Sequence, residues 1–283
     1  VNVQPHDAGK HGAMALVADA RVALEALGRA LGDLRFDPDM QARADWLAAV
    51  EAHCATVPDG LPTDAQVIGA VQRAAPEGIA MCAAGTMPGA LKLLWQASQG
   101  GYHMEYGFSC MGYEIAGAMG LALARPGRQV LCFVGDGSYM MANSELATAV
   151  MRRVPFTVIL TDNRGYGCIN RLQAHCGGAP FNNMYADSRV EAQPEIDFVA
   201  HAASMGAHAV RAADLPALEA EVAAARGRDR PTVIVIETTA RPGPGDGLEG
   251  AGHWWDVAVP ATGGSQEAYA RYLDHAARQT LIN

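Results

Sequence analysis

Lysine is nearly missing from this 283-residue chain: of 21 basic residues only Lys10 and Lys92 are lysines, against 30 acidic residues. The formal net charge of −9 leaves no basic patch to neutralise a nucleic-acid backbone or an anionic membrane surface, so neither is expected as a partner. A polyphosphate ligand would need its counter-charge from elsewhere, and a metal ion is the obvious source. Paired cysteines are missing too. Cys54, Cys82, Cys110, Cys132, Cys168 and Cys176 form no C-x-x-C and sit mostly in apolar stretches, which reads as reduced thiols in the cytoplasm. The longest apolar run, Ile115–Ala124, falls far short of the about 20 residues that span a bilayer. Residues 1–15 are polar with two histidines, so no signal peptide is expected in them. The chain opens on Val1 rather than Met, as expected of a processed product, an engineered piece or a fragment.

What is present is globular in composition, 50% apolar and 18% charged. At about 100–200 residues per domain the chain makes one large domain or up to two. Asp19 is placed to cap a helix to Leu31, with Gly32 at its end, and Pro38–Val50 reads as a second helix. His53–Pro62, with two prolines and a glycine, reads as a linker. Beyond it strands and helices alternate. Thr63 and Asp64 cap a helix to Ala75; Gly78–Ala84, Tyr102–Tyr106, Gln129–Val134, Phe156–Leu160, Ala207–Val210 and Thr232–Glu237 read as strands. Pro88–Ala97, Met111–Ala124, Ser144–Arg152, Glu195–Met205 and Leu215–Ala225 read as the helices between them, with a long Gly/Asn-rich loop before residue 195. Arg241–Gly252 reads as a Pro/Gly loop ahead of Trp254-Trp255 and a helix near Gln266–Arg278. The expected fold is α/β: a doubly wound parallel sheet with helices on both faces.

Ligands of such sheets sit beyond the carboxyl ends of the strands. There, Gly135-Asp136-Gly137-Ser138 follows one strand and opens a helix, so glycines admit a phosphate to the backbone and Asp136 adds a hard oxygen ligand. Asn163 stands 27 residues later at the end of the next strand, one crossover away. A carboxylate, an amide oxygen and a backbone carbonyl, with two diphosphate oxygens, suit Mg²⁺. Taken alone, Gly-Asp-Gly is also an ordinary strand-to-helix turn. Its second copy, Gly245-Asp246-Gly247, lies in a loop with no helix after it, and 27 residues beyond Asp246 stands Leu273, which cannot bind a metal.

Gly135-Asp136-Gly137 with Asp162-Asn163 resembles the cofactor motif of thiamine-diphosphate-dependent enzymes. The resemblance implies that Asp136, the Asn163 side chain and the Gly165 carbonyl hold Mg²⁺, and that Gly135, Gly137 and Ser138 face the diphosphate. Gly107–Tyr113 is similar to the segment that grips the pyrimidine ring, with Ser109 and Cys110 in it and Met111 as the apolar wedge; as a bare residue, Met111 also reads as a core methionine. His103–Gly117, Val134–Tyr139, Ala203–Arg211 and Trp254-Trp255-Asp256 are closer still to the cyclic-1,2-dione hydrolases of inositol catabolism. That likeness makes residues 1–60 the end of a central domain and 61–283 the diphosphate- and Mg²⁺-binding domain. It implies hydrolysis of a carbon–carbon bond in a cyclic dione, in a homodimer or homotetramer whose cofactor spans two subunits. It also implies that the glutamate activating the aminopyrimidine lies on a pyrimidine-binding domain missing from these residues.

His103 and Glu105, at the end of a short strand, are candidates for an acid–base pair at the substrate, or else form a solvated or structural pair. His175-Cys176 reads as loop decoration and Trp254-Trp255 as a lid or as tail packing. Two rival functions stay open. A small subunit of a two-chain thiamine-dependent decarboxylase or acetolactate-synthase-like enzyme would begin near residue 60. A nucleotide-binding module would need a Gly-x-Gly-x-x-Gly turn or a Walker loop, and the chain has neither.

Overall fold

The computed structural model describes residues 1–55, 60–105, 107–239, 259–262 and 264–278, the side chains of His11, His275 and Arg278 aside. Tyr106, the Pro/Gly loop with the second Gly-Asp-Gly, and Trp254-Trp255-Asp256 lie outside the described residues. The chain divides into two compact units, residues 1–45 with 270–283, and residues 46–269.

The first unit carries α1 (Pro5–Ala8), α2 (Ala20–Leu31) and the start of α3 (Met40–His53). Asp19 Oδ1 accepts from the Arg21 and Val22 N–H groups, so this cap forms as expected, and Gly32 closes α2 at φ 54°.

The second unit is built in the order α4 (Asp64–Ala74), β1 (Ile79–Cys82), α5 (Met87–Leu94), β2 (Tyr102–Met104), α6 (Tyr113–Ala124), β3 (Val130–Gly135), α7 (Asp136–Met141), α8 (Glu145–Met151), β4 (Thr157–Asp162), α9 (Gly167–His175), α10 (Phe198–Ser204), β5 (His208–Ala212), α11 (Leu215–Ala225) and β6 (Thr232–Glu237); α12 (Gln266–Arg278) starts in this unit and falls from residue 270 onward in the first. Thr63 and Gln66 form a reciprocal capping box at the start of α4. All six strands are parallel, in the order β2-β1-β3-β4-β6-β5.

Alternation along the strands splits the core in two. Leu131, Phe133, Ile159, Ile234 and Ile236 pack on one face beneath α4, α5 and α11. Val130, Cys132, Val134, Val158, Leu160, Val233 and Val235 pack on the other, beneath α6, α8 and α10. With both faces covered, the strands read as continuous apolar runs and the sheet is doubly wound.

Two features differ from expectation. The Gly/Asn-rich stretch is not all loop: α9 occupies Gly167–His175, and a short 3₁₀ turn follows at Tyr185–Asp187. No side chain caps α9, and glycines flank it, so local signals do not announce it. Next, α6 begins at Tyr113 rather than Met111, because Gly112 takes a left-handed φ of 92°. Val50 and Cys54 pack into the core beside α4, with Trp46 against it. The end of α3 therefore packs with the sheet.

Candidate active site

Strand order dictates where a crevice opens. From β1 the chain crosses to β2 on one side, then returns past β1 to β3 on the other. The segments leaving β1 and β3 thus part at their carboxyl ends, the switch point at which open α/β sheets bind ligands. A pocket of about 190 Å³ lies there. It is lined by Gly85 and Thr86 after β1, Ser109 and Met111 before α6, Gly135–Ser138 at the end of β3 and beyond, and Thr161, Asn163 and Gly165 at the end of β4 and beyond.

The two expected metal ligands meet here because β3 and β4 pair directly, with Gly135 opposite Thr161. Asp136 is 5% exposed. Its Oδ2 accepts the Gly165 N–H at 2.9 Å, while its Oδ1 and the Asn163 Oδ1 are buried with no hydrogen-bond partner. Burial, with the Asp162 carboxylate adding to it, pushes the Asp136 carboxyl up to about 6. Two unpartnered acceptor oxygens beside a second acid are a costly arrangement unless a cation enters it. The donors are hard oxygens, and among the described residues no group of three His, Cys, Asp or Glu side chains is arranged to cage a softer metal. The residues present therefore fit Mg²⁺.

Gly165 closes the turn at φ 153°, where a Cβ would stand 2.5 Å from the Asn183 carbonyl oxygen, so only glycine fits. At Gly135 a Cβ would meet no protein atom within 4 Å. Gly135 lines the pocket, so the missing side chain leaves room for a ligand rather than for packing.

The remaining expected residues fall out unequally. Met111 lines the pocket and is 36% exposed. It is therefore a wall residue and not a core methionine. Ser109 lines the pocket at a left-handed φ of 51°. Cys110 is exposed and does not line it; its N–H donates to Glu105 Oε2 at 2.9 Å. Ser138 lines the pocket, but its hydroxyl turns inward and donates to the Glu114 carboxylate at 2.8 Å.

His103 and Glu105 are not brought together as an acid–base pair. His103 Nε2 bonds the Tyr113 hydroxyl at 3.2 Å and the two rings stack. Glu105 accepts from the Phe108 and Cys110 N–H groups, and these bonds, the Cys110 one foremost, hold its carboxyl below the usual range. Neither residue lines the pocket. Glu105 closes the 107–110 loop and His103 braces the first turn of α6.

Three residues escaped the sequence reading. Thr86 stands where β1 passes into α5, a second strand-to-helix turn at the carboxyl edge. Asp64, buried at the start of α4, lines the pocket and pairs with Arg171 of α9 at 3.9 Å. Burial raises its carboxyl, against the pull of that arginine. Glu114 lies beneath the pocket, and burial raises it likewise.

Comparison with known proteins bears on this geometry. Residues 83–236 match the model of the thiamine pyrophosphate enzyme C-terminal TPP-binding domain, which covers all of the pocket walls after β1, β3 and β4. The chain is similar to 3D-(3,5/4)-trihydroxycyclohexane-1,2-dione hydrolases. It is 38% identical to that of Halalkalibacterium halodurans over 200 residues, 69% of this chain and 30% of the relative. It is 31% identical to that of Geobacillus thermodenitrificans over an alignment of 306 residues, 96% of this chain and 47% of the relative. It thus spans less than half the length of these relatives. In structure it is similar to the benzoylformate decarboxylase of Polynucleobacter necessarius, with a TM-score of 0.53 at 19% identity over 62% of this chain and 33% of that one, a likeness of fold.

Proposed function

This chain belongs to the thiamine pyrophosphate enzyme family, whose C-terminal TPP-binding domain residues 83–236 match, and from that premise we propose that it is the thiamine diphosphate- and Mg²⁺-binding part of a hydrolase that opens a cyclic 1,2-dione. The proposed substrate is trihydroxycyclohexane-1,2-dione and the product its open-chain 5-deoxy-glucuronate, in myo-inositol catabolism; the relatives' names support this choice. Because the chain spans only part of those relatives, the activity is assigned to the full-length protein that carries it.

The observation that carries the reading is the pair of buried, unpartnered oxygens, Asp136 Oδ1 and Asn163 Oδ1, between the ends of adjacent strands. With the Gly165 carbonyl they would hold Mg²⁺, whose charge replaces the lysines the site lacks. Gly135 and Gly137 would let the diphosphate approach the backbone where α7 begins, and Ser109 and Met111 would bear on the ring end of the cofactor. Thiamine diphosphate, once bound, supplies the carbanion-stabilising chemistry that cleavage between two carbonyl carbons requires. The protein's share is to hold the diphosphate, orient the rings and shield the reacting carbon from bulk water.

Exposed apolar side chains border the pocket: Met111, Tyr166 and Ile169 line it, and Phe108, beside Ser109, is 92% exposed. We take this edge to be covered in a homo-oligomer, dimer or tetramer, and by the pyrimidine-binding region. A thermal-shift screen tests the cofactor assignment: thiamine diphosphate with Mg²⁺ should raise the melting temperature and NAD or ATP should not. Stabilisation by ATP or NAD alone would overturn it. Dione hydrolysis by the full-length protein, dependent on both cofactors, tests the substrate.

A further inference from the structure

Glu114 is 1% exposed, sits on α6 and takes no direct place in the pocket wall. A buried carboxylate is costly unless fully hydrogen-bonded. Here the donors come from three separate stretches of chain. Ser138 Oγ donates at 2.8 Å to Oε1 and lies 2.9 Å from Oε2, the Gly112 N–H donates to Oε2 at 2.9 Å, and the Ala84 N–H reaches Oε1 at 3.4 Å. Gly112 N–H also reaches Ser138 Oγ at 2.9 Å, closing a ring of bonds. Each of these stretches forms one wall of the pocket: Ala84 to Met87 after β1, Ser109 and Met111 before α6, Gly135 to Ser138 after β3.

A mere helix cap would need only Gly112, the residue before the helix. The bonds to Ser138 and Ala84, 24 and 30 residues away in sequence, go beyond that. An ionised carboxylate only accepts, through two oxygens with about four lone-pair directions, which lets one side chain gather several donors. We propose that Glu114 is a positioning residue for the cofactor: it locks the Met111 loop, the end of β1 and the turn after β3 into a single arrangement, and so sets where the cofactor's ring end lies relative to its diphosphate. This rests on the pocket being the thiamine diphosphate site.

The test uses the full-length natural protein with thiamine diphosphate and Mg²⁺, binding measured by calorimetry and melting temperature measured in parallel. Glu114→Gln keeps the size but turns one acceptor into a donor, which must then face the Gly112 or the Ala84 N–H. It should weaken thiamine diphosphate by about tenfold or more, as expected when a buried donor is left unsatisfied. Ser138→Ala should weaken it in the same direction, and the double variant should be no worse than the product of the two. The control is Ala118→Gly, a buried position on α6 away from the pocket, which loosens the same helix. A Glu114→Gln affinity within about twofold of that control would overturn the proposal, since helix destabilisation would then account for the whole effect. Should Glu114→Gln fail to fold, Ser138→Ala decides: unchanged cofactor affinity in that variant overturns the proposal too. Wild-type protein that binds no thiamine diphosphate would instead overturn the cofactor reading, and this inference with it.

Discussion

A single carboxylate does most to define the site. Asp136 is held by one backbone N–H on one oxygen and by nothing on the other. Replacing it by alanine should weaken Mg²⁺-dependent cofactor binding by at least about 100-fold, beyond the 10–100-fold that follows loss of an outer partner, while the fold survives. Calorimetry with and without chelator checks this. The same carboxyl makes a pH prediction. Its folded-state pKa of about 6 lies above the ordinary value of 3.8. The folded protein therefore holds this proton more tightly than the unfolded chain. The stability it contributes is fully present below about pH 3.8 and is lost as pH rises through about 6. In metal-free protein, Asp136→Asn removes a penalty of order 1–3 kcal/mol at neutral pH. Asp136→Asn should thus melt higher than wild type at pH 7.5, with the gap shrinking towards pH 5; a gap that widens towards pH 5 would refute the assignment.

At the scale of elements, two glycines separate binding from folding. Gly135 ends β3 with φ −78°, open to any residue, and a Cβ there meets no protein atom within 4 Å. Gly135→Ala should leave the melting temperature within about 2 °C of wild type, no more than the roughly 2–4 °C that 1 kcal/mol brings in a unit of this size. The same substitution should still impair cofactor binding, because the methyl occupies ligand space. Gly165→Ala should instead cost folding stability directly. Its φ of 153° and the clash with Asn183 should destabilise the β4–α9 turn by about 1–3 kcal/mol, visible as lost melting temperature even without ligand. The start of α4 shows how far local signals reach. Thr63 is expected as a cap from the sequence and forms one, with Gln66 rather than Asp64 as its reciprocal partner. Nothing in that stretch announces that Asp64 also lines a pocket or pairs with Arg171, 107 residues away, since their meeting depends on how α4 and α9 pack.

At the scale of the molecule, the strand order places the crevice between β1 and β3 and leaves one rim of it apolar and exposed, Phe108 and Ile169 included. Such a rim is where a partner surface is expected. If the opposite half of the cofactor pocket is supplied there, these 283 residues alone should bind thiamine diphosphate much more weakly than the full-length protein and show no dione hydrolysis. Parallel titrations and a turnover assay with saturating cofactor and Mg²⁺ check this. Turnover by the isolated chain at a rate comparable to the full-length protein would show that the catalytic acid lies within these residues.

Much of this architecture is local information. Short apolar runs alternating with helical segments specify a covered parallel sheet, because a strand buried on both faces is apolar along its length while a helix repeats every 3.6 residues. The placement of Asp136 and Asn163 follows from the same arithmetic, since both stand at strand ends and one crossover joins their strands. Tertiary structure alone decided the rest. His103 lies in β2 and Glu105 one residue past its end, and each found a different partner, Tyr113 and the 107–110 loop. Ser138 turned from the ligand side to Glu114, and α9 formed without a cap of its own. Which hydroxyl meets which carboxylate depends on side chains that approach only after strands pair and helices pack, and no pattern within one segment carries that information.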